Sequence, residues 1–289
     1  MGNKGMTEDI QKKALRVLRR FQDICNKYNL EYYAIGGTCL GAIRHRGFIP
    51  WDDDIDIAMP YTDYCKFREV CKTELKHPFS LIGPDNCQHY TMIYMKMQDE
   101  STCFVEQTVV NYKDRYCGVY IDIFPIFGTP NDEKKRNKLI SRNERLKRLN
   151  IRLRFPFSEE KTVCGKLYWI ANMYKKIILK YNYYTKLQER MLSKNEFNTS
   201  EMVIFPWRMR PEKDLRGCYK NVFFYEDFKK SVSVQFEDGY IKVPVGFDRY
   251  LTMDFGDYMK LPPKDKQICA HPSAIIDLEK SYREYIDCR

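Results

Sequence analysis

Three aspartates, Asp52, Asp54 and Asp56, alternate along one short stretch, and a glycine pair, Gly36-Gly37, shortly precedes them. Carboxylates two residues apart on a strand point to one face and can share a divalent cation. Glycines let backbone amides come close to a phosphate. A further acid, Asp122, lies in the apolar run Tyr120-Ile121-Asp122-Ile123-Phe124. An acid with such neighbours is costly to bury unless paired, protonated or bound to metal. The combination describes a site for a metal-bound phosphate, built from two strands.

Three blander readings compete for the acid cluster. A solvated turn is permitted by Pro50 and Trp51, but Ile55 and Ile57 favour strand alternation. A calcium loop would take Asp52, Asp54 and Asp56 at positions one, three and five. It would then place Ile57 where the sharp turn needs glycine, and Asp63 where a glutamate is usual. Helix capping covers Asp52 or Asp53 alone.

The elements that must position these residues follow from periodicity. Met6 to Asn29 has apolar residues at helical spacing, with Thr7 as the expected N-cap. A short strand, Tyr32 to Ile35, runs into the glycines, and a helix over Thr38 to His45 would turn its N-terminal amides to the phosphate. Gly47 to Trp51 is a turn, Asp54 to Met59 a half-buried strand, and Tyr64 to Leu75 a helix. Strands are expected over Gln88 to Gln98 and Ser101 to Val105, around a turn at Asp99-Glu100. Another covers Tyr120 to Phe124, stopped by Pro125. Further on, Gly239 to Val243 reads as a strand, a helix starts near Phe247, and Leu261-Pro262-Pro263 is a loop.

The chain has 289 residues, 44% hydrophobic and 30% charged, which is a folded protein rather than a disordered one. Its aromatic content of 15% suits a core, or stacking platforms for a base or sugar. The net charge of +10 is concentrated. Residues 132–196 carry 18 Lys and Arg against 7 Asp and Glu, so this segment holds the whole excess. It reads as helical with a break near Phe155-Pro156. A solvated face is one reading. An anionic membrane surface is another, since Leu167 to Ile170 and Ile177 to Leu179 lie among Lys166, Lys175, Lys176 and Lys180. Nucleic acid ranks last, because no binding module is recognisable. The eleven cysteines form no Cys-x-x-Cys pair, and no apolar run resembles an export signal or a membrane span. The expectation is a cytoplasmic protein with reduced thiols, peripheral at the inner face of the membrane if that contact is made.

The ordered pattern of strand, Gly-Gly, helix, Asp-x-Asp strand and later Asp strand resembles the nucleotidyltransferase superfamily. More closely, it is similar to the LicD family of phosphotransferases, which includes the fukutin-related proteins. The matching stretches are Gly36 to His45, Gly47 to Asp56, Tyr120 to Pro125, Phe255 to Met259 and Leu261 to Pro263. The resemblance implies an α/β (α+β) fold with a nucleotidyltransferase-like mixed sheet flanked by helices and a basic helical insertion. It divides into a core with the metal site over 1–130, the basic helical segment over 131–200, and a portion over 201–289 packing on the core as one continuous unit.

The resemblance also implies an activity. LicD-like proteins move a phosphoalcohol, such as phosphocholine, ribitol phosphate or glycerol phosphate, from a cytidine diphosphate (CDP)-linked donor to a sugar hydroxyl. The acceptor would be a cell-surface or capsular glycan, lipopolysaccharide or teichoic acid among them, met in lipid-linked form. Asp54, Asp56 and Asp122 would bind Mg2+ or Mn2+, with Asp52 as an additional ligand. Gly36, Gly37, Thr38 and Arg44 would contact donor phosphates, and Asp122 would take the acceptor's proton. Lys96 is expected at the surface, Trp51 beneath the acid strand, Asp257 in a structural role and His271 in a loop. Two alternatives stay open: a nucleotidyltransferase using a nucleoside triphosphate, and a non-catalytic protein binding nucleic acid or membrane.

Overall fold

The computed structural model describes residues 2–154, 163, 181–207, 222–268 and 273–287. The first helix, α1 (Gly2–Tyr28), buries a stripe of Ile10, Ala14, Val17, Leu18, Phe21, Ile24 and Cys25. Thr7 lies inside this helix rather than at its start. Asn29 ends it in the left-handed region, φ 50°. Its amide donates to Asn26 O and that of Leu30 to Cys25 O, which satisfies the last carbonyls.

The chain continues through β1 (Tyr33–Ala34), α2 (Gly36–His45), β2 (Asp56–Pro60) and α3 (Tyr61–Glu74). It then forms β3 (Phe79–Ile82), β4 (Met95–Asp99), β5 (Cys103–Glu106) and β6 (Val119–Gly128). The helices α4 (Glu133–Arg154) and α5 (Tyr183–Leu192) follow, then β7 (Met202–Ile204), β8 (Val222–Phe224) and a short α6 (Tyr225–Phe228). The described chain closes with β9 (Ser231–Phe236), β10 (Gly239–Pro244), α7 (Phe247–Phe255), β11 (Ser273–Asp277) and α8 (Tyr282–Asp287).

The fold is mixed α and β. The central sheet runs β1-β2-β6-β4-β3, with β7 and β8 extending from β6. β2 and β6 are parallel, and β4 is antiparallel to β6. The β9–β10 hairpin and the β5–β11 pair are separate ladders. One buried cluster runs from Ile10 of α1 to Tyr250 and Leu251 of α7 and on to Tyr258.

Several boundaries differ from the sequence expectation. Residues 88–94 are not strand, and β3 takes the place next to β4. Asp54 and Ile55 precede the ladder, which begins at Asp56. β6 runs through Pro125 to Gly128. The reason is local. Asp122 N–H donates to Ile55 O, so the alternating amide of Pro125 would face the other edge. There β4 ends opposite Ile123 and β7 begins at Phe127, so a missing N–H forfeits no ladder bond.

In the basic segment, α4 and α5 pack through buried polar side chains. Gln188 Nε2 donates to Asn143 Oδ1 at 2.8 Å, and Asn150 Nδ2 donates to Thr185 Oγ1 at 3.0 Å. The expected break at Phe155-Pro156, the apolar runs between Leu167 and Leu179, and His271 lie outside the described residues. Among the described residues, seven cysteines are unbridged and no helix is long and apolar enough to cross a membrane.

Candidate active site

Strand register builds the centre of the site. Asp56 of β2 and Asp122 of β6 are direct partners in the parallel ladder. Lys96 of β4 is the partner of Asp122 on its other side. Paired positions share a face, so two acids and a lysine lie in one row across the sheet. The chain entering β2 adds Asp52, Asp53 and Asp54, each with a carboxylate oxygen within 4.8 Å of the others. A cleft of about 390 Å³ is lined by Gly37 and four acids, Asp52, Asp54, Asp56 and Asp122. Its remaining lining is apolar: Met92, Tyr94, Phe124 and Trp207. Asp53 is buried and does not line this cleft.

Both glycines lie against the acids, and Gly37 lines the cleft. Gly36 has φ +55°, and its N–H donates to the Tyr250 hydroxyl at 2.8 Å. That amide is therefore spent on α7 and is not aimed at a phosphate. A Cβ on Gly37 would lie 2.5 Å from Asp52 Oδ2, and one on Gly36 would lie 3.1 Å from Asp56 Oδ2. The pair makes room for carboxylates. Thr38 is buried, and its hydroxyl accepts the Asp56 N–H at 2.8 Å, so it fixes the start of β2.

Arg44 is not brought to the cleft. It donates to Tyr258 O at 2.7 Å and to Lys260 O at 3.4 Å, bracing α2 against the segment after α7. Its neighbour His45 packs edge-on against Trp51 at 6.4 Å, and Arg46 is exposed. Asp257 is exposed on the segment that Arg44 grips.

Lys96 corrects a further expectation, because it is only 5% exposed. Its Nζ lies 3.1 Å from Glu106 Oε1, 3.4 Å from Asp122 Oδ1 and 3.3 Å from the centre of the Tyr120 ring. Burial opposes its charge, but Asp122 and Glu106 outweigh burial and hold the ammonium above its usual pKa. Burial pushes the Asp122 carboxyl up, Lys96 opposes it and Asp54 adds to it, and together they leave it raised to about 6. Among the described residues, the buried Asp122 Oδ1 accepts no hydrogen bond, since Lys96 is in ion-pair range without hydrogen-bond geometry.

These features fit a hard divalent cation. The donors are carboxylate oxygens, as Mg2+ and Mn2+ prefer, and a buried carboxylate oxygen without a hydrogen bond has a lone pair to give. Sequence reasoning missed the burial of Lys96 and the apolar wall. A lysine alternating between Met95 and Met97 was the available signal for the first. Nothing local ties Trp207 to Asp122, because β7 carries it there from far along the chain.

The family described as LicD/FKTN/FKRP, nucleotidyltransferase domain, matches residues 29–156. That span holds both glycines and every cleft acid. The lipopolysaccharide cholinephosphotransferase LicD of Haemophilus influenzae is 32% identical over 260 residues, covering 88% of this chain and 91% of that protein. An uncharacterised protein of Rickettsia typhi is 40% identical over 63 residues, 21% of this chain and 20% of its own length. One of Rickettsia prowazekii is 39% identical over 62 residues, 20% and 23% of the two chains. With the cleft acids inside the matched span and similarity along nearly the whole chain, this protein belongs to the LicD family.

Proposed function

We propose that this chain transfers phosphocholine from a CDP-linked donor to a sugar hydroxyl of a cell-surface glycan of the lipopolysaccharide kind. The observation that carries the reading is the convergence of four carboxylates on one cleft, in a chain similar over 88% of its length to a cholinephosphotransferase. Asp54, Asp56 and Asp122 would hold Mg2+ or Mn2+, with Asp52 beside them. When bound, such a cation neutralises a diphosphate and polarises its oxygens.

The chain's own residues supply positioning and proton transfer. Thr38 and the β2–β6 register set Asp56 against Asp122. Lys96 holds Asp122 from its other side. The acceptor hydroxyl gives its proton to a cleft carboxylate, which we assign as Asp122. Its oxygen bonds to the phosphorus bearing the alcohol, the bond from that phosphorus to the CMP oxygen breaks, and CMP leaves with the electron pair. We place the reaction at the cytoplasmic side, with the positive excess of residues 132–196 facing an anionic membrane that carries a lipid-linked acceptor.

Thermal unfolding with CDP-alcohols and nucleoside triphosphates, with and without Mn2+, tests the reading, because ligands of the native state raise Tm. Metal-dependent stabilisation by CDP-choline is the expected result. Stabilisation by triphosphates alone would replace it with nucleotidyl transfer. Asp54→Asn and Asp56→Asn should each abolish transfer, and retained activity in either would sink the assigned metal roles.

A further inference from the structure

We infer that Met92, Tyr94 and Trp207 form the subsite that receives a quaternary ammonium group on the transferred alcohol, and so set alcohol specificity. The inference rests on the phosphocholine reading and adds the residues that enforce it.

The rings are locked in place. Phe124 is buried, with ring centres 4.4 Å from Tyr94 and 4.3 Å from Trp207, the latter nearly parallel at 20°. Trp207 also stacks on buried Phe205 at 4.9 Å. Tyr94, Trp207 and Met92 are themselves only half-buried and border the cleft that holds the acids.

The helical segment anchors this wall on both sides. Asn143 Nδ2 donates to Pro206 O at 3.1 Å, next to Trp207. Asn150 Nδ2 donates to Thr91 O at 2.8 Å, next to Met92. Both asparagines are fully buried. Holding the rings before the ligand arrives reduces the ordering cost of binding.

Chemistry selects the occupant. No basic side chain lines the cleft among the described residues, so no fixed positive charge on this wall repels a cationic alcohol. Aromatic rings and a thioether attract a weakly hydrated ammonium. A polyol would need donors and acceptors for several hydroxyls, and among the described residues this wall offers two polar groups, the Tyr94 hydroxyl and the Trp207 indole N–H. Hydroxyls left unpaired there would be penalised.

The test is calorimetric titration, with Mn2+, of CDP-choline, CDP-glycerol, CMP and the CDP ester of 3,3-dimethylbutanol, the neutral carbon isostere of choline. For the wild-type chain, the isostere should bind about tenfold more weakly than CDP-choline, as expected for a desolvated cation–π contact. Tyr94→Leu and Trp207→Leu should each lose about tenfold for CDP-choline while keeping CMP affinity, and Tyr94→Phe and Trp207→Phe should retain most binding. Equal affinity of the wild-type chain for choline and isostere overturns the inference without any variant. Parallel loss of CMP and CDP-choline in the leucine variants also overturns it, because the rings would then stack on the base. If the wild-type chain binds no CDP-alcohol, the function reading itself has failed, and that is seen before the alcohols are compared.

Discussion

Lys96 Nζ lies 3.4 Å from Asp122 Oδ1 at directly paired positions of β4 and β6, and both residues are buried. An ammonium placed there keeps one cleft carboxylate ionisable where burial alone would protonate it. Replacing it, as in Lys96→Met, leaves Asp122 and Glu106 without their shared cation. Breaking one side of a buried pair costs about 3 kcal/mol or more, so urea unfolding should show a loss of that order. Removing this positive charge also lessens repulsion of a divalent ion, so Mn2+ affinity should rise at alkaline pH, where Asp122 is ionised. Unchanged stability and metal affinity would show that the ion pair is unimportant.

Asp122 also predicts a pH dependence. Its native pKa of about 6 lies above the usual carboxylate value. The metal-free native state therefore holds a proton that the unfolded chain has released. That stabilising contribution is complete below the unfolded value of about 3.9 and is lost as pH rises through about 6. A cation competes with the same proton, so Mn2+ affinity should rise with pH up to about 6 and level off above it. Calorimetric titrations on either side of that pH check the trend, and Asp122→Asn should flatten it.

Gly37→Ala places a methyl group 2.5 Å from Asp52 Oδ2. The Asp52 side chain must move, and the carboxylate cluster moves with it. Thermal stability should change by no more than about 1–2 kcal/mol, because the contact is the end of a movable side chain. Transfer activity should fall at least about tenfold, given its sensitivity to misplacement in a reacting site. Wild-type kcat in this variant would remove Asp52 from the working set.

Asn143→Ala tests the wall from behind. It leaves Pro206 O and Gln188 Nε2 without their buried partner, at a cost of about 1–3 kcal/mol. If Asn143 holds Trp207 through Pro206, KM for the CDP-choline donor should rise more than kcat falls. Steady-state kinetics and a chemical melt on the same sample separate the two effects.

The local order of the site was legible in the sequence. Asp54, Asp56 and Asp122 carry their message in spacing and in apolar neighbours, and the cleft gathers all three. Helices α1 and α2 and the strands at β2 and β6 were readable because hydrophobic period and glycine placement are properties of neighbouring residues. What the glycines do was not readable. The donation of the Gly36 amide to Tyr250, the clearance above Gly37 and the diversion of Arg44 to Tyr258 O all join residues distant in the chain. The same holds for Lys96, whose burial depends on which strands flank β4, and for Trp207, which β7 delivers beside Phe124. Sequence by itself determined the spacing of the acids and the local periods that display them. Only tertiary structure decided which of them share a face, because strand register and long-range packing are set by the collective burial of the core, which no short stretch encodes.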